Sequence, residues 1–391
     1  LTASLAPRFS SAATALALIV ALLFVVHPLQ TGAVTYIVQR VESLMGLLYL
    51  ATLYGCIRAL DASPPFGAVW TGLAVLSCAL GMGVKEVMAT APLMVILWDR
   101  QFAPERVSAR RPLYASLAAT WLILAFLVAS GPRAASVGFS FEGWPWWRYL
   151  MTQAEVVTHY LRLSFHPSPL VLDYEWPAAK SLAQVAAPGA FIAALLLATV
   201  AGVVRRSPAS FAGAWFFLIL APTSSILPIA TEVAAEHRMY LPLAGVIALA
   251  VPGAFALGRR FGSILPARNH WILAPAGLLI IAVVTSLFIT MTRERNRDYQ
   301  DYDRIWSDTI AKRPQNGRAR NNYATSLLAA GRFAEAEPHL RVAVDQKPSF
   351  AEAHANLGVA LSAQGKLEEG TAHLERAVAL RPGFADAHRN L

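Results

Sequence analysis

Charge is what this sequence has least of. Only 15% of its 391 residues are Asp, Glu, Lys or Arg, 56% are hydrophobic, and the mean hydropathy is positive. Water-soluble domains carry about 25% charge and 45–50% apolar residues, so a plain cytosolic enzyme is disfavoured. Cysteine is almost absent as well. Cys56 and Cys78 both sit in apolar runs, without a CxxC or a Cys/His spacing suited to zinc, so they read as lipid- or core-facing and say nothing of redox compartment. A basic stripe is lacking too: the net charge of +9 is dispersed between hydrophobic runs, whereas a nucleic-acid surface clusters its cations. No nucleic-acid partner is expected.

The scarcity of charge is uneven. Residues 1–291 hold 18 Lys/Arg and 11 Asp/Glu, whereas the last 100 residues hold 15 and 13, so a long apolar block is followed by a polar tail. Leu1 is not an initiator and the tail stops inside a repeat unit, so the chain reads as a segment cut at both ends. Crossing a bilayer takes about 20 apolar residues. Nine runs of nearly that kind are read at 11–26, 41–60, 66–83, 86–98, 113–130, 185–204, 211–228, 239–258 and 271–291. The fourth is short enough to be re-entrant or tilted.

Orientation follows from the arginines. With the start inside, the inner segments carry Arg8, Arg58, Arg100, Arg106, Arg110, Arg111, Arg205, Arg206, Arg259, Arg260 and Arg268, against seven bases outside. Positive residues favour the cytoplasmic side, and an odd number of spans then sends the tail to the periplasm or a lumen. Residues 131–184 become one long outer segment. Within it, Glu155, His159 and Arg162 recur at helical spacing along Arg148 to Phe165, bracketed by Trp144, Trp146, Trp147 and Trp176. Three ionisable groups on one face make an amphipathic interfacial helix the preferred reading. A tenth span, which would flip everything downstream, is the alternative.

From Gly317 the sequence repeats with a 34-residue period, that of the tetratricopeptide repeat. Ala324, Ala336, Ala343 and Pro348 of the first unit match Gly358, Gly370, Ala377 and Pro382 of the second; Tyr323, Leu327, Phe333 and Leu340 match Leu357, Leu361, Leu367 and Leu374. Small residues let two antiparallel helices approach, and the proline ends the second. The expected fold class is therefore all-α: a polytopic transmembrane helix bundle over 1–291, a connecting helix over 292–314, and a tetratricopeptide solenoid with units 315–348, 349–382 and a third starting at 383. Such a solenoid suits an acceptor or partner protein, with a ligand-free spacer as the bland reading.

Four polar clusters lie at span ends: His27-Pro28 with Gln30, Arg40 and Glu42; Lys85-Glu86; Asp173-Tyr174-Glu175-Trp176; and Glu232 with Glu236-His237-Arg238. Singly, each is readable as loop ions. Under the Arg-derived topology all four fall on one outer face, where cations suit a lipid phosphate and a carboxylate suits a general base. No metal-ligand spacing is evident, although acids there could hold a divalent cation through oxygens.

The run HPLQTGAVTYIVQR (27–40), the KE pair at 85–86, YLRLSFHPSPLVLDYEWP (160–177) and SSILPIATEVAAEHRMYLP (224–242), followed by the repeats, resemble bacterial relatives of the transmembrane and tetratricopeptide repeat-containing (TMTC) proteins. Eukaryotic members of that family are protein O-mannosyltransferases of GT-C fold. The resemblance implies a membrane glycosyltransferase that moves a sugar from a polyprenyl-phosphate donor to a hydroxyl acceptor on a protein presented by the repeats, on the periplasmic or lumenal side of a bacterial inner membrane. It implies donor phosphate or sugar contacts at Arg238, His237, Lys85, Glu86, Glu236, Arg40 and His27, and a general base upstream of Leu1. Gln30 and Gly32 replace the His and Glu of the eukaryotic motif. A non-catalytic scaffold that anchors peptide-binding repeats in the envelope is the competing expectation.

Overall fold

The computed structural model describes residues 12–63, 65–130, 145–225, 229, 232–262 and 273–391. Arg8, Trp144, Arg268 and the start of the run 271–291 lie outside them. Every regular element among the described residues is helical. Two compact units divide the chain, one reaching Ser168 and resuming from Pro177 to Arg293, the other formed by Pro169–Trp176 together with Glu294–Leu391.

The first unit starts with α1 (Ala13–Val26), which bends by 54° into Pro28–Val34. Proline lacks an amide proton and pushes the preceding residue out of the helical region; His27 accordingly sits at φ −68°, ψ 129°. A short α2 (Thr31–Val34) leads to α3 (Arg40–Asp61) and α4 (Phe66–Val84), an extensively packed pair. After them come α5 (Ala91–Phe102), α6 (Arg111–Ala119), α7 (Trp121–Ser130), α8 (Trp146–Phe165), α9 (Leu182–Val204), α10 (Pro208–Leu220), α11 (Pro242–Gly262) and α12 (Leu273–Asp298).

Six described segments are long and apolar enough to cross a membrane, Ile37–Asp61, Phe66–Val84, Arg111–Ser130, Leu182–Val204, Pro242–Phe261 and Pro275–Asp298, and the bent α1–α2 pair makes up to seven. Seven of the nine runs read from sequence fall on these described segments. Runs 86–98 and 211–228 become α5 and α10, of 12 and 13 residues, which span only about 18–20 Å at 1.5 Å per residue against a hydrocarbon core of about 30 Å. A 3-10 turn over Glu86–Thr90 uses up the start of the first run. Pro222, two residues past the end of α10, helps stop the second.

Helix α8 is not among the apolar spans. It buries Tyr149, Thr152, Gln153, Val156, Val157, Tyr160, Leu163 and Ser164, leaving Arg162 exposed and Trp146 and Trp147 half-exposed. It covers Arg148–Phe165, where an amphipathic interfacial helix was expected, and starts two residues earlier. Elsewhere in the unit, fully buried Asp99 accepts from Arg110 Nη1 at 2.5 Å and from Tyr114 Oη at 2.6 Å. Arg110 Nη2 also donates to the Cys56 carbonyl at 2.8 Å, tying α3, α5 and α6 together.

In the second unit, α13 (Tyr302–Lys312) precedes the helix pairs α14 (Gly317–Ala329) with α15 (Phe333–Gln346) and α16 (Ala351–Ala363) with α17 (Leu367–Leu380), and α18 (Ala385–Asn390) opens a third. Asp301 and Asn316 cap α13 and α14 by accepting backbone amides. Ala324, Leu327, Ala336, Leu340, Ala343, Leu357 and Leu361 form the shared core. The small positions act as the repeat pattern requires: a Cβ on Gly358 would lie 2.8 Å from the Gly370 carbonyl oxygen. The turns inside the two full repeats place Gly331 and Gly365 at φ +70° and +80°, where a side chain is strained.

Candidate functional site

Three of the four polar clusters meet in the first unit. Glu42 lies in the first turn of α3. Lys85 closes α4 in an extended conformation and Glu86 opens the following 3-10 turn. Glu236, His237 and Arg238 form another 3-10 turn, Glu236–Met239, just before α11. Gly46 permits this approach, because a Cβ there would fall 2.5 Å from the Tyr240 ring. Trp215 of α10 fastens the junction by donating Nε1 to the Leu241 carbonyl at 2.8 Å.

Glu42 is the centre of the cluster. Its carboxylate is 2% exposed and pairs with the Lys85 ammonium. His237 Nε2 stands 3.7 Å from Glu42 Oε1 and 3.6 Å from Oε2 of the half-exposed Glu232. Burial, then the charges of Lys85 and Arg238, hold the His237 imidazole well below its ordinary range near 6.5. It is therefore neutral at pH 7, able to donate one hydrogen bond and accept another, and it forms no ion pair with either acid. Glu86, half-buried beside Lys85, adds a second negative charge felt by Glu42.

Arg238 is used differently. Its buried guanidinium donates from Nη1 to the carbonyls of Thr223 at 2.9 Å and Val233 at 3.3 Å and to Tyr149 Oη at 3.5 Å, and from Nη2 to the Glu232 carbonyl. Much of the fork is thus committed to the chain around 223–233. Tyr149 also donates to the Thr223 carbonyl at 2.9 Å, Gln153 Nε2 donates to the Val233 carbonyl at 3.1 Å, and Tyr160 Oη accepts the Ala235 amide at 2.7 Å. The inner face of α8 holds the same loop. A small cavity beside the cluster is lined by Glu42, Met45, Val87, Ile219, Thr223, Arg238, Leu241 and Pro242.

His27, expected to help hold the donor, has both ring nitrogens engaged. Nδ1 accepts the Leu29 amide at 3.2 Å, so Nε2 carries the proton and donates it to the Ser164 carbonyl at 3.2 Å, while Phe288 packs edge-on at 4.5 Å between centroids. Its place is that of a cap joining the bend after α1 to the end of α8. Gln30 donates to the Tyr240 carbonyl at 3.4 Å. Arg40 is exposed at the first residue of α3 and makes no ion pair among the described residues. Glu236 is buried and engaged. Among the described residues no group of three or more His, Cys, Asp or Glu is placed to hold a metal ion, so the divalent cation considered above finds no ligand set there.

The third cluster, Asp173 to Trp176, belongs to the second unit. Tyr149 and Tyr160 carry no charge and escape a reading of ionisable groups, and Gln153 reads only as one polar residue of the segment; the signal in the sequence is a second stripe at 149, 153, 156 and 160.

Tetratricopeptide-repeat family models match residues 294–351 and 327–391. The chain is also similar to Protein O-mannosyl-transferase Tmtc1 of Drosophila melanogaster, at 31% identity over 136 residues. That stretch covers 34% of this chain and 15% of the fly protein.

Proposed function

We propose that this is a multi-pass membrane glycosyltransferase that takes a sugar from a polyprenyl-phosphate donor and passes it to a hydroxyl, of a protein presented by the tetratricopeptide repeats. The observation that carries the reading is the buried Glu42–Lys85 pair with neutral His237 beside it, at an end of apolar helices in a chain similar to an O-mannosyltransferase. Lys85 supplies the cation for a donor phosphate. Glu42 and Glu86 orient it, and His237 offers a neutral donor or acceptor to the sugar or phosphate. Arg238 and Glu236 are assigned to positioning the turn that carries His237, Arg40 to the mouth of the site, and His27 to support. The side bearing this site and the repeats is assigned to the periplasm of a bacterial inner membrane.

The experiment is sugar transfer from a polyprenyl-phosphate sugar in membranes holding the full protein. Lys85→Ala should abolish transfer in samples matched for inserted, folded protein; unchanged transfer would remove the site. Lys85 is a better probe than Arg238, whose loss would also leave the carbonyls of Thr223, Glu232 and Val233 without its hydrogen bonds. A non-catalytic scaffold is the second reading, favoured by the internal pairing of Lys85 and Arg238. It predicts no transfer by the wild type with any donor sugar.

A further inference from the structure

The eight residues Pro169–Trp176 leave the first unit, pack as part of the second, and return at Pro177. They form no regular element, bend at Pro169 and Leu172, and place Glu175 at φ 38°, whose amide donates to Asp173 Oδ1 at 2.9 Å. Opposite charges meet along them. Arg318 Nη2 donates to Asp173 Oδ1 at 2.7 Å, and Lys347 Nζ to Glu175 Oε1 at 2.7 Å. Asn316 and Lys312 donate to the carbonyls of Asp173 at 2.8 Å and Leu170 at 2.9 Å. Arg313 lies over the rings of Tyr174 and Trp176 at 5.4 and 5.5 Å, and Leu172 packs against Ile305, Trp306 and Ala319. Cations, one amide and an apolar notch from α13, α14 and the end of α15 thus read a short acidic, aromatic strand, both its side chains and its backbone.

Both ends of this strand are pinned to α8. Upstream, Arg162 donates to the Ser168 carbonyl at 2.9 Å. Downstream, the Ala179 amide donates to Thr152 Oγ1 at 2.9 Å, and Arg148 Nε to the Ala179 carbonyl at 3.0 Å. Helix α8 is also the element whose Tyr149, Gln153 and Tyr160 hold the loop leading to His237.

The geometry points to a strap: Leu170–Trp176 is a built-in ligand of the tetratricopeptide unit, and the grip of the repeats on it is transmitted through α8 to the loop 232–238. The inference stands whether or not the protein transfers sugar, since it concerns only how the strand and the loop are held.

The test is hydrogen exchange by mass spectrometry on the full chain in detergent or membranes. Arg318→Glu should speed exchange over 169–176 at least about tenfold, the size expected for losing a charge-assisted hydrogen bond. It should speed exchange over 232–238 as well, with 351–380 unchanged, and adding Asp173→Arg should restore both segments. Unchanged exchange over 169–176, or no restoration by the reversed pair, overturns the docking. A released strand with an unaltered 232–238 overturns the transmission. If Arg318→Glu unfolds α14 itself, seen as faster exchange across 317–329, the decision passes to Lys347→Glu with and without Glu175→Lys, at a half-exposed lysine just past the end of α15; the same outcomes count the same way.

Discussion

Removing the ammonium of Lys85 tests whether the Glu42–Lys85 pair is as buried as the structure makes it. The two side chains are 14% and 3% exposed, too little for water to screen them as it does a surface pair. Truncation to Lys85→Met keeps the length of the side chain and strands the Glu42 carboxylate. His237, neutral beside it, offers no replacement cation, and Arg238 contributes field but spends its donors on carbonyls. Breaking a buried pair from one side costs about 3–5 kcal/mol, and the residual field of Arg238 favours the lower end. Glu42→Gln should cost less, because the lysine stem can carry its charge toward water. The double variant Lys85→Met/Glu42→Gln leaves no unpaired ion, so the coupling in the cycle should be about 2–3 kcal/mol. Unfolding titrations of the purified protein in detergent read these differences. A Lys85→Met cost below about 1 kcal/mol, or strict additivity in the cycle, would refute the buried pair.

Two further expectations follow from the same contacts. Arg238→Lys keeps the charge but cannot reproduce a planar fork that serves three carbonyls and a hydroxyl; stability should fall by about 2–4 kcal/mol, with faster exchange over 232–238, and a neutral result would show that the clamp is idle. In the second repeat, His354 Nε2 donates to the Pro348 carbonyl at 3.2 Å, and its Nδ1 meets His373 Nδ1 at 3.0 Å in a stacked pair. Burial lowers both imidazoles below 6.5, and the His354 charge lowers His373 further. The unfolded chain therefore takes up protons first as pH falls from about 6.5 toward the native values, so stability is lost on that descent and regained on returning to pH 7. Protection factors over 351–380, which divide out the pH dependence of intrinsic amide exchange, should be lower at pH 5 than at pH 7; equal protection factors would contradict the pairing.

The repeats were the most legible part of the chain. Their period, small positions and prolines are local signals that each unit repeats, and Gly358 against Gly370 is the contact the pattern demands. Hydropathy located the apolar block, but an average over a window does not register the 3-10 turn at Glu86–Thr90 or the break at His27-Pro28. Polar clusters at span ends were recognisable, and three of the four do meet. Glu42 was noted only as a companion of Arg40, since nothing in the neighbouring residues tells that Lys85, 43 positions away, will close on it. The roles of His27 and Arg238 were illegible for a related reason: their partners are backbone carbonyls, which every residue has and no motif records.

Backbone carbonyls are also what separates the two kinds of cation in the site. Arg238 satisfies oxygens of Thr223, Glu232 and Val233 that would otherwise sit in a buried loop, and a buried acceptor left alone costs more than its hydrogen bond contributes. No ligand phosphate can recruit that guanidinium without exposing those oxygens. Lys85 is held by a carboxylate instead, and on the proposed reading an anion that takes the ammonium must leave Glu42, which the swap strands, with a proton or another partner. The exchangeable cation of this cluster is accordingly the lysine. On the proposed reading, a donor phosphate beside Glu42 therefore trades one oxyanion for another at Lys85, with His237 neutral beside it.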